Sequence, residues 1–409
     1  MIFSRNIRPE IDLLLQCART REDSVKSARI TELLRQELDW DYLIAASVRH
    51  GVMPLLFWHL RTLPSNRVPV AVMDGLRKGF YRNAARNLIL SNELCKILAL
   101  FESRGISGLP FKGPVLASSV YQNFALRQSG DLDIFVPEEQ VLRAKDVLLS
   151  HGFRPQFHLT EAQEAAYLRS WFEYNFTSQD TGIFVEIHWR LVPGYFPLAL
   201  DMKQLWSRAG PTSMGRATVL TLAPEDLLLM LCIHGAKHCW ARLGWICDIS
   251  ELIGTQSNID WKSVLARAVC LGSERILFLG LFLASELLGA PFPSDLGQRV
   301  QAERAIHRLA SQVCEVLFAG GNKSLGQLEK ALFYLRARER ISDRIRCSFR
   351  LAMAITQNTG DWQLLKLPRA FSFLYYPLRT IRLLAKYGVG PIRILLFSAR
   401  QRRDVRDPR

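Results

Sequence analysis

Apolar residues recur every three or four positions along most of this chain, and the runs that instead read as β-type fall within one window, from Gly105 to about Pro197. They are Gly108-Leu109-Pro110-Phe111, Leu132-Asp133-Ile134-Phe135-Val136 and Ile183-Phe184-Val185-Glu186-Ile187-His188-Trp189. Short strands in so narrow a window can make only a small sheet, and a small sheet needs helices to bury its apolar face. Helical patterns lie between the runs: Pro114 to Tyr121 fits one helix, and Glu138 to His151 fits another, opened by Pro137 where proline is tolerated. The expected class is α+β, a small sheet flanked by helical regions.

The flanks follow the same periodicity. From Glu10 to about Arg104 it appears in stretches such as Ile11-Asp12-Leu13-Leu14-Leu15 and Leu88-Ile89-Leu90-Ser91-Asn92-Glu93-Leu94, broken by Leu63-Pro64-Ser65-Asn66-Arg67-Val68-Pro69. From about Leu200 helix is expected to return, with Pro224-Glu225-Asp226 opening a long apolar-periodic run to Ile253. The most apolar stretch, Ile276 to Ala290, contains Glu286 and falls short of the roughly 20 residues that span a bilayer, so it reads as a core helix. A chain of 409 residues exceeds one hydrophobic core. The expected division is a helical region over 1–104, an α/β domain over 105–200, a helical domain over 201–370 and a basic amphipathic tail over 371–409.

With 49% hydrophobic and 22% charged residues, the composition excludes wholesale disorder. The net charge of +15 predicts attraction to phosphate-bearing partners, whether nucleotides, nucleic acids or anionic lipid. Much of that excess is arginine between Arg336 and Arg406, so charge alone does not locate a site. The eight cysteines show no CxxC spacing and are expected to be reduced, mostly buried thiols. Met1-Ile2-Phe3-Ser4-Arg5-Asn6 lacks the pattern of a secretory signal, which makes the cytoplasm the expected location.

The chemistry centres on Gly130-Asp131-Leu132-Asp133-Ile134-Phe135-Val136. Strand periodicity puts Asp131 and Asp133 on one face, and Mg²⁺ favours oxygen ligands that leave room for water and substrate phosphates. A solvated strand end looks the same when it stands alone. About fifty residues later, Glu186 lies inside an apolar run. If Val185 and Ile187 face the core, Glu186 and His188 face the other way, and Glu186 can supply a third metal ligand or a base. Upstream, Phe111-Lys112-Gly113-Pro114 sets a cation and a glycine where strand gives way to helix, so that Lys112 and Gly113 can approach phosphate. Arg127 can neutralise phosphate or brace Asp131, and a structural ion pair fits it equally well. Three carboxylates gathered without a counter-ion would repel one another. Downstream, His234, Lys237, His238 and Arg242 share one helical face beside Trp240 and Trp245, suited to a nucleotide's phosphates or base. The packing alternative keeps Trp245 in the core and pairs Asp248 with a basic neighbour. Zinc on His234 and His238 is disfavoured because Gly235 stands where an HExxH motif has glutamate.

The succession Phe111-Lys112-Gly113, Leu116, Tyr121, Arg127, Gly130 to Val136, Glu186-Ile187-His188-Trp189-Arg190 and His234-Gly235-Ala236-Lys237-His238 resembles the bacterial uncharacterised nucleotidyltransferase family. That family is a distant branch of the DNA-polymerase-β-like superfamily, and the likeness extends over roughly residues 10 to 300. The resemblance implies a small mixed sheet and nucleotidyl transfer from a nucleoside triphosphate, with Asp131, Asp133 and Glu186 as catalytic metal ligands. It implies two Mg²⁺ (or Mn²⁺) ions; the residues expected to bind the nucleotide are Lys112, Gly113, Arg127, His188, His234, Lys237 and His238. The acceptor is unassigned: a small molecule, a peptide or a protein. The wider superfamily usually carries Gly-Ser at the helix start, where this chain has Lys112-Gly113. Two other readings follow from that departure and from the charge: a nucleotide-binding module without turnover, and a protein that meets nucleic acid or membrane surfaces through its basic tail.

Overall fold

The computed structural model describes residues 7–21, 24–63, 67–192, 201–318 and 325–354, and the basic tail expected over 371–409 lies outside them. The N-terminal region is helical: Pro9–Cys17, Ser24–Leu33, Trp40–Arg49, Met53–Leu60 and the 34-residue helix Val70–Ser103. Along the last of these, Leu76, Phe80, Asn83, Asn87, Leu90, Leu94, Ile97 and Phe101 are buried, an alternation of four- and three-residue steps that keeps a single seam inward. Two of those seam positions are asparagines, and they have work there. Asn83 Nδ2 donates to the carbonyls of Ala125 at 2.9 Å and Arg127 at 3.1 Å, and Asn87 Nδ2 donates to Arg127 O at 2.7 Å and to Phe124 O. Together they pin the segment that leads into the acidic strand.

The sheet has five strands: β1 (Leu109–Pro110), β2 (Asp131–Phe135), β3 (Phe153–Pro155), β4 (Glu173–Ser178) and β5 (Phe184–His188). Their order is β1-β2-β5-β4-β3, with β2 and β5 parallel and the other pairs antiparallel, so the sheet is mixed as expected. The three β-type runs became β1, β2 and β5, while β3 and β4 were not among them. One face carries Leu132, Ile134, Tyr174, Phe176, Val185 and Ile187 into a core with Leu90, Leu94, Ile97 and Phe101 of the long helix and Val141, Ala144 and Leu148 of helix Val141–Ser150. Each such burial contributes about 1.5–3 kcal/mol. Strand alternation leaves the polar residues on the opposite face.

A hairpin not anticipated from the sequence precedes the helix that opens at Pro224. After the six-residue helix Met202–Ser207 comes a hairpin of β6 (Gly210–Met214) and β7 (Ala217–Thr221), turning at Gly215 with φ 63°. Thr218, Val219 and Thr221 favour strand, and Gly215 supplies the positive φ the turn needs. Thr221 Oγ1 donates to Pro110 O at 2.8 Å, which ties the hairpin to the sheet's edge. Beyond it, helices Pro224–Lys237, Leu243–Thr255, Trp261–Leu271 and Glu274–Leu288 pack together, the last buried from Ile276 to Ala284 as the core-helix reading requires. Among the described residues, no helix is long and apolar enough to cross a membrane. All eight cysteines are free; Cys270 is exposed and Cys95 half-buried, and the rest are buried.

Candidate active site

The polar face of the sheet gathers its residues by register. In the parallel pair, Asp133 sits opposite Glu186 and Phe135 opposite His188; β4 then sets Glu173 against His188 and Asn175 against Glu186. Adjacent strands lie about 4.8 Å apart, so residues 55 positions or so apart in sequence meet without any loop having to place them. Asp133 is buried, and its Oδ1 lies 2.6 Å from Lys112 Nζ and accepts from His188 Nε2 at 3.2 Å. The same Nε2 is 3.2 Å from Glu186 Oε2, while His188 Nδ1 is 3.5 Å from Glu173 Oε2. Lys237 closes helix Pro224–Lys237, and its Nζ is 3.8 Å from Glu173 Oε2 and 4.2 Å from the centre of the Phe172 ring. One ligand atom from each of Asp133, Glu186 and His188 falls within 4.8 Å of the others, a donor set that fits a divalent cation.

The repulsion expected of carboxylates gathered without a counter-ion is partly offset here, because Lys112 and His188 lie against Asp133. Burial disfavours the charged form of Lys112, yet the nearby carboxylates of Asp133 and Asp131 raise its pKa. For His188, burial works against charge, but its hydrogen bonds to Asp133 and Glu186 carry it up to about 9. Asp133, although buried, is held well below the usual carboxylate range by Lys112 and His188. Asp131, half-buried at the head of β2, is raised to about 6 by burial and by the charge of Asp133. Burial likewise raises Glu173, against the pull of His188 and Lys237.

Gly113 is fixed by the backbone. Its φ is 62°, and a Cβ there would lie 2.9 Å from the carbonyl oxygen of Asp131, so glycine is what lets this turn approach the acidic strand. It caps the six-residue helix Pro114–Ser119.

Arg127 is engaged structurally rather than with Asp131. Its Nε and Nη2 donate to the two carboxylate oxygens of Asp248 at 2.8 and 2.9 Å, and its Nη1 reaches Gly113 O at 3.4 Å and Ser129 Oγ at 3.3 Å. Tyr121 OH donates to the same Asp248 at 2.8 Å. Asp248 is thus paired with a basic neighbour, as the packing alternative has it.

His234 and His238 stand 4.7 Å apart, and both lie against Trp245, at 5.3 and 5.1 Å between ring centres. Burial and the nearby charge of Lys112 keep His234 neutral by lowering its pKa well below 6.5. Trp240 cannot stack on a nucleotide: it is fully buried, with its ring packed on Gly235. Gly235 is therefore there to make room for an indole.

Glu173 and Asn175 were not anticipated, although the alternation Glu173-Tyr174-Asn175-Phe176-Thr177 carries the signal. No curated protein and no solved structure matches the chain. A family model described as uncharacterised nucleotidyltransferase does match, over residues 36–289, more than half of the chain and every residue of this site. The chain therefore belongs to the uncharacterised nucleotidyltransferase family.

Proposed function

We propose that this chain transfers a nucleoside monophosphate from a nucleoside triphosphate to a hydroxyl or phosphate acceptor and releases pyrophosphate. Mg²⁺ or Mn²⁺ is the cofactor, and Asp131, Asp133 and Glu186 are the acidic residues facing it. The observation that carries this reading is the parallel pairing of Asp133 with Glu186, which brings carboxylates from two distant segments together on the sheet's polar face. When bound, the cation supplies charge that stabilises the attacking and leaving oxygens.

The remaining roles belong to the chain. Lys112 brings an ammonium group to Asp133 and Lys237 one to Glu173, suited to the triphosphate and the departing pyrophosphate. Arg127 acts from behind, holding the Gly113 turn and the approach to β2 against helix Leu243–Thr255. His234, kept neutral, and His238 set their rings against Trp245, suited to holding a base. The test is pyrophosphate release from each of the four nucleoside triphosphates with Mg²⁺ or Mn²⁺, with Asp133→Asn as the control.

A second reading, a nucleotide-binding module without turnover, is favoured by Lys112-Gly113 standing where the superfamily usually carries Gly-Ser, and by Pro114 after it, which has no amide to offer phosphate. Tight triphosphate binding without pyrophosphate release, under conditions that saturate the site, would select it.

A further inference from the structure

We propose that the cation on this face is held by a mixed oxygen and nitrogen set, Asp133, Glu186 and Nε2 of His188, and that the site prefers a first-row transition dication such as Mn²⁺ to Mg²⁺. The inference rests on reading this face as a divalent-cation site. Ligands in adjacent octahedral positions at about 2.1–2.2 Å from a cation are separated by about 3 Å. His188 Nε2 is 3.2 Å from Asp133 Oδ1 and 3.2 Å from Glu186 Oε2. The imidazole nitrogen thus stands at ligand-corner distance from both carboxylates, and a cation takes that corner by displacing the Nε2 proton to solvent, one proton released per ion bound.

The other side of the ring points to the same role. Among the described residues, His188 Nδ1 and Glu173 Oε2 are buried atoms with no hydrogen-bond partner, and they lie 3.5 Å from each other. Closing that gap by a few tenths of an ångström satisfies both, and it produces the outer carboxylate that metal-ligating histidines commonly use to fix the tautomer with Nε2 free to bind. Aromatic rings set the imidazole's tilt: Phe111, Phe135 and Phe172 stand 5.4, 5.7 and 6.1 Å from it. Lys112 Nζ is on the same Oδ1 of Asp133, so a cation there displaces the ammonium from that oxygen. Mg²⁺ strongly favours all-oxygen shells, whereas first-row transition ions accept imidazole; one nitrogen in the set shifts preference toward the latter.

The experiment uses the full chain and Mn²⁺ as the probe. Mn²⁺ binding is measured by loss of the free-ion electron paramagnetic resonance signal, in competition with Mg²⁺. Electron spin echo modulation of the bound ion reads nitrogen coordination in the unmutated protein. The expected result is Mn²⁺ binding at least about tenfold tighter than Mg²⁺, with ¹⁴N modulation that changes to the ¹⁵N pattern on ¹⁵N-histidine labelling. His188→Gln should abolish the modulation and bring the two ions toward parity, and Glu173→Gln should weaken Mn²⁺ binding by about tenfold or more. Mn²⁺ that binds, and is lost in Asp133→Asn, but shows no nitrogen modulation overturns the histidine ligand and leaves the nucleotidyl-transfer reading standing. Failure of the wild-type chain to bind either ion, with or without nucleoside triphosphate, overturns both.

Discussion

Replacing Arg127 by alanine separates bracing from substrate binding. The substitution removes a bidentate partner from Asp248, whose side chain is 3% exposed, and leaves that carboxylate with the Tyr121 hydroxyl at 2.8 Å. Breaking a buried pair from one side costs about 3–5 kcal/mol, because the surviving charge has neither water nor a counter-ion. The bonds to Gly113 O and Ser129 Oγ, at 3.4 and 3.3 Å, add little to that figure. Urea unfolding should show the midpoint falling with the slope unchanged. The companion Arg127→Met/Asp248→Leu, which removes both charges at similar volume, should recover most of the loss. A wild-type midpoint for Arg127→Ala together with lost triphosphate affinity would refute the reasoning and make Arg127 a phosphate ligand.

Lys112→Met should have opposite effects on two ligands, measured by calorimetry: tighter Mn²⁺ binding without nucleotide, since Lys112 Nζ competes for Asp133 Oδ1 at 2.6 Å, but triphosphate affinity weaker by about tenfold or more. Weakening of both would contradict the shared-oxygen account. Gly113→Ala should destabilise the protein by about 1–3 kcal/mol through its φ of 62° and its contact with the Asp131 carbonyl, and a neutral result in urea would show that the turn relaxes freely. His50 is buried, and burial with the charge of Arg49 lowers its pKa from 6.5 to about 4. The unfolded chain then binds more protons between those values, so this group's contribution of roughly 3 kcal/mol is complete above pH 6.5 and is lost as pH falls toward 4. His50→Asn, which can still accept from the Leu243 amide, should flatten the urea midpoint across that window; an unchanged slope would assign the acid sensitivity elsewhere.

What the sequence made legible is the part governed by local periodicity. Asp133 and Glu186 each sit among apolar residues at strand spacing, and that alternation alone puts Leu132, Ile134, Val185 and Ile187 on the buried face. β4 alternates as well, yet its polar positions are Glu173, Asn175 and Thr177, so it lacks the apolar density that marks a strand from composition. The hairpin at 210–221 hides its strands behind Gly210 and Pro211, which read as loop. Pairings over long separations have no local signature: Arg127 meets Asp248 121 positions away. Asn83 and Asn87 look like polar residues on a helix surface until their carbonyl partners at 124–127 are in place. The counter-ions of the acidic cluster were individually visible, since Lys112, His188 and Lys237 were all candidates. What register and helix packing added is that Lys112 and His188 sit on the carboxylates themselves, with Lys237 beside Glu173.

The most direct test of nucleotidyl transfer is pyrophosphate release under saturating nucleoside triphosphate with Mn²⁺ or Mg²⁺, comparing the wild-type chain with a folded Asp133→Asn variant. Acceptors are supplied as hydroxyl- and phosphate-bearing pools, and incorporation of the labelled nucleoside monophosphate is followed in parallel. The account predicts metal-dependent pyrophosphate release with matching label transfer in the wild type, and loss of both by a factor of about a thousand or more when the buried carboxylate that faces Glu186 is neutralised. Equal release from the two proteins, or label transfer that survives in Asp133→Asn, would contradict it.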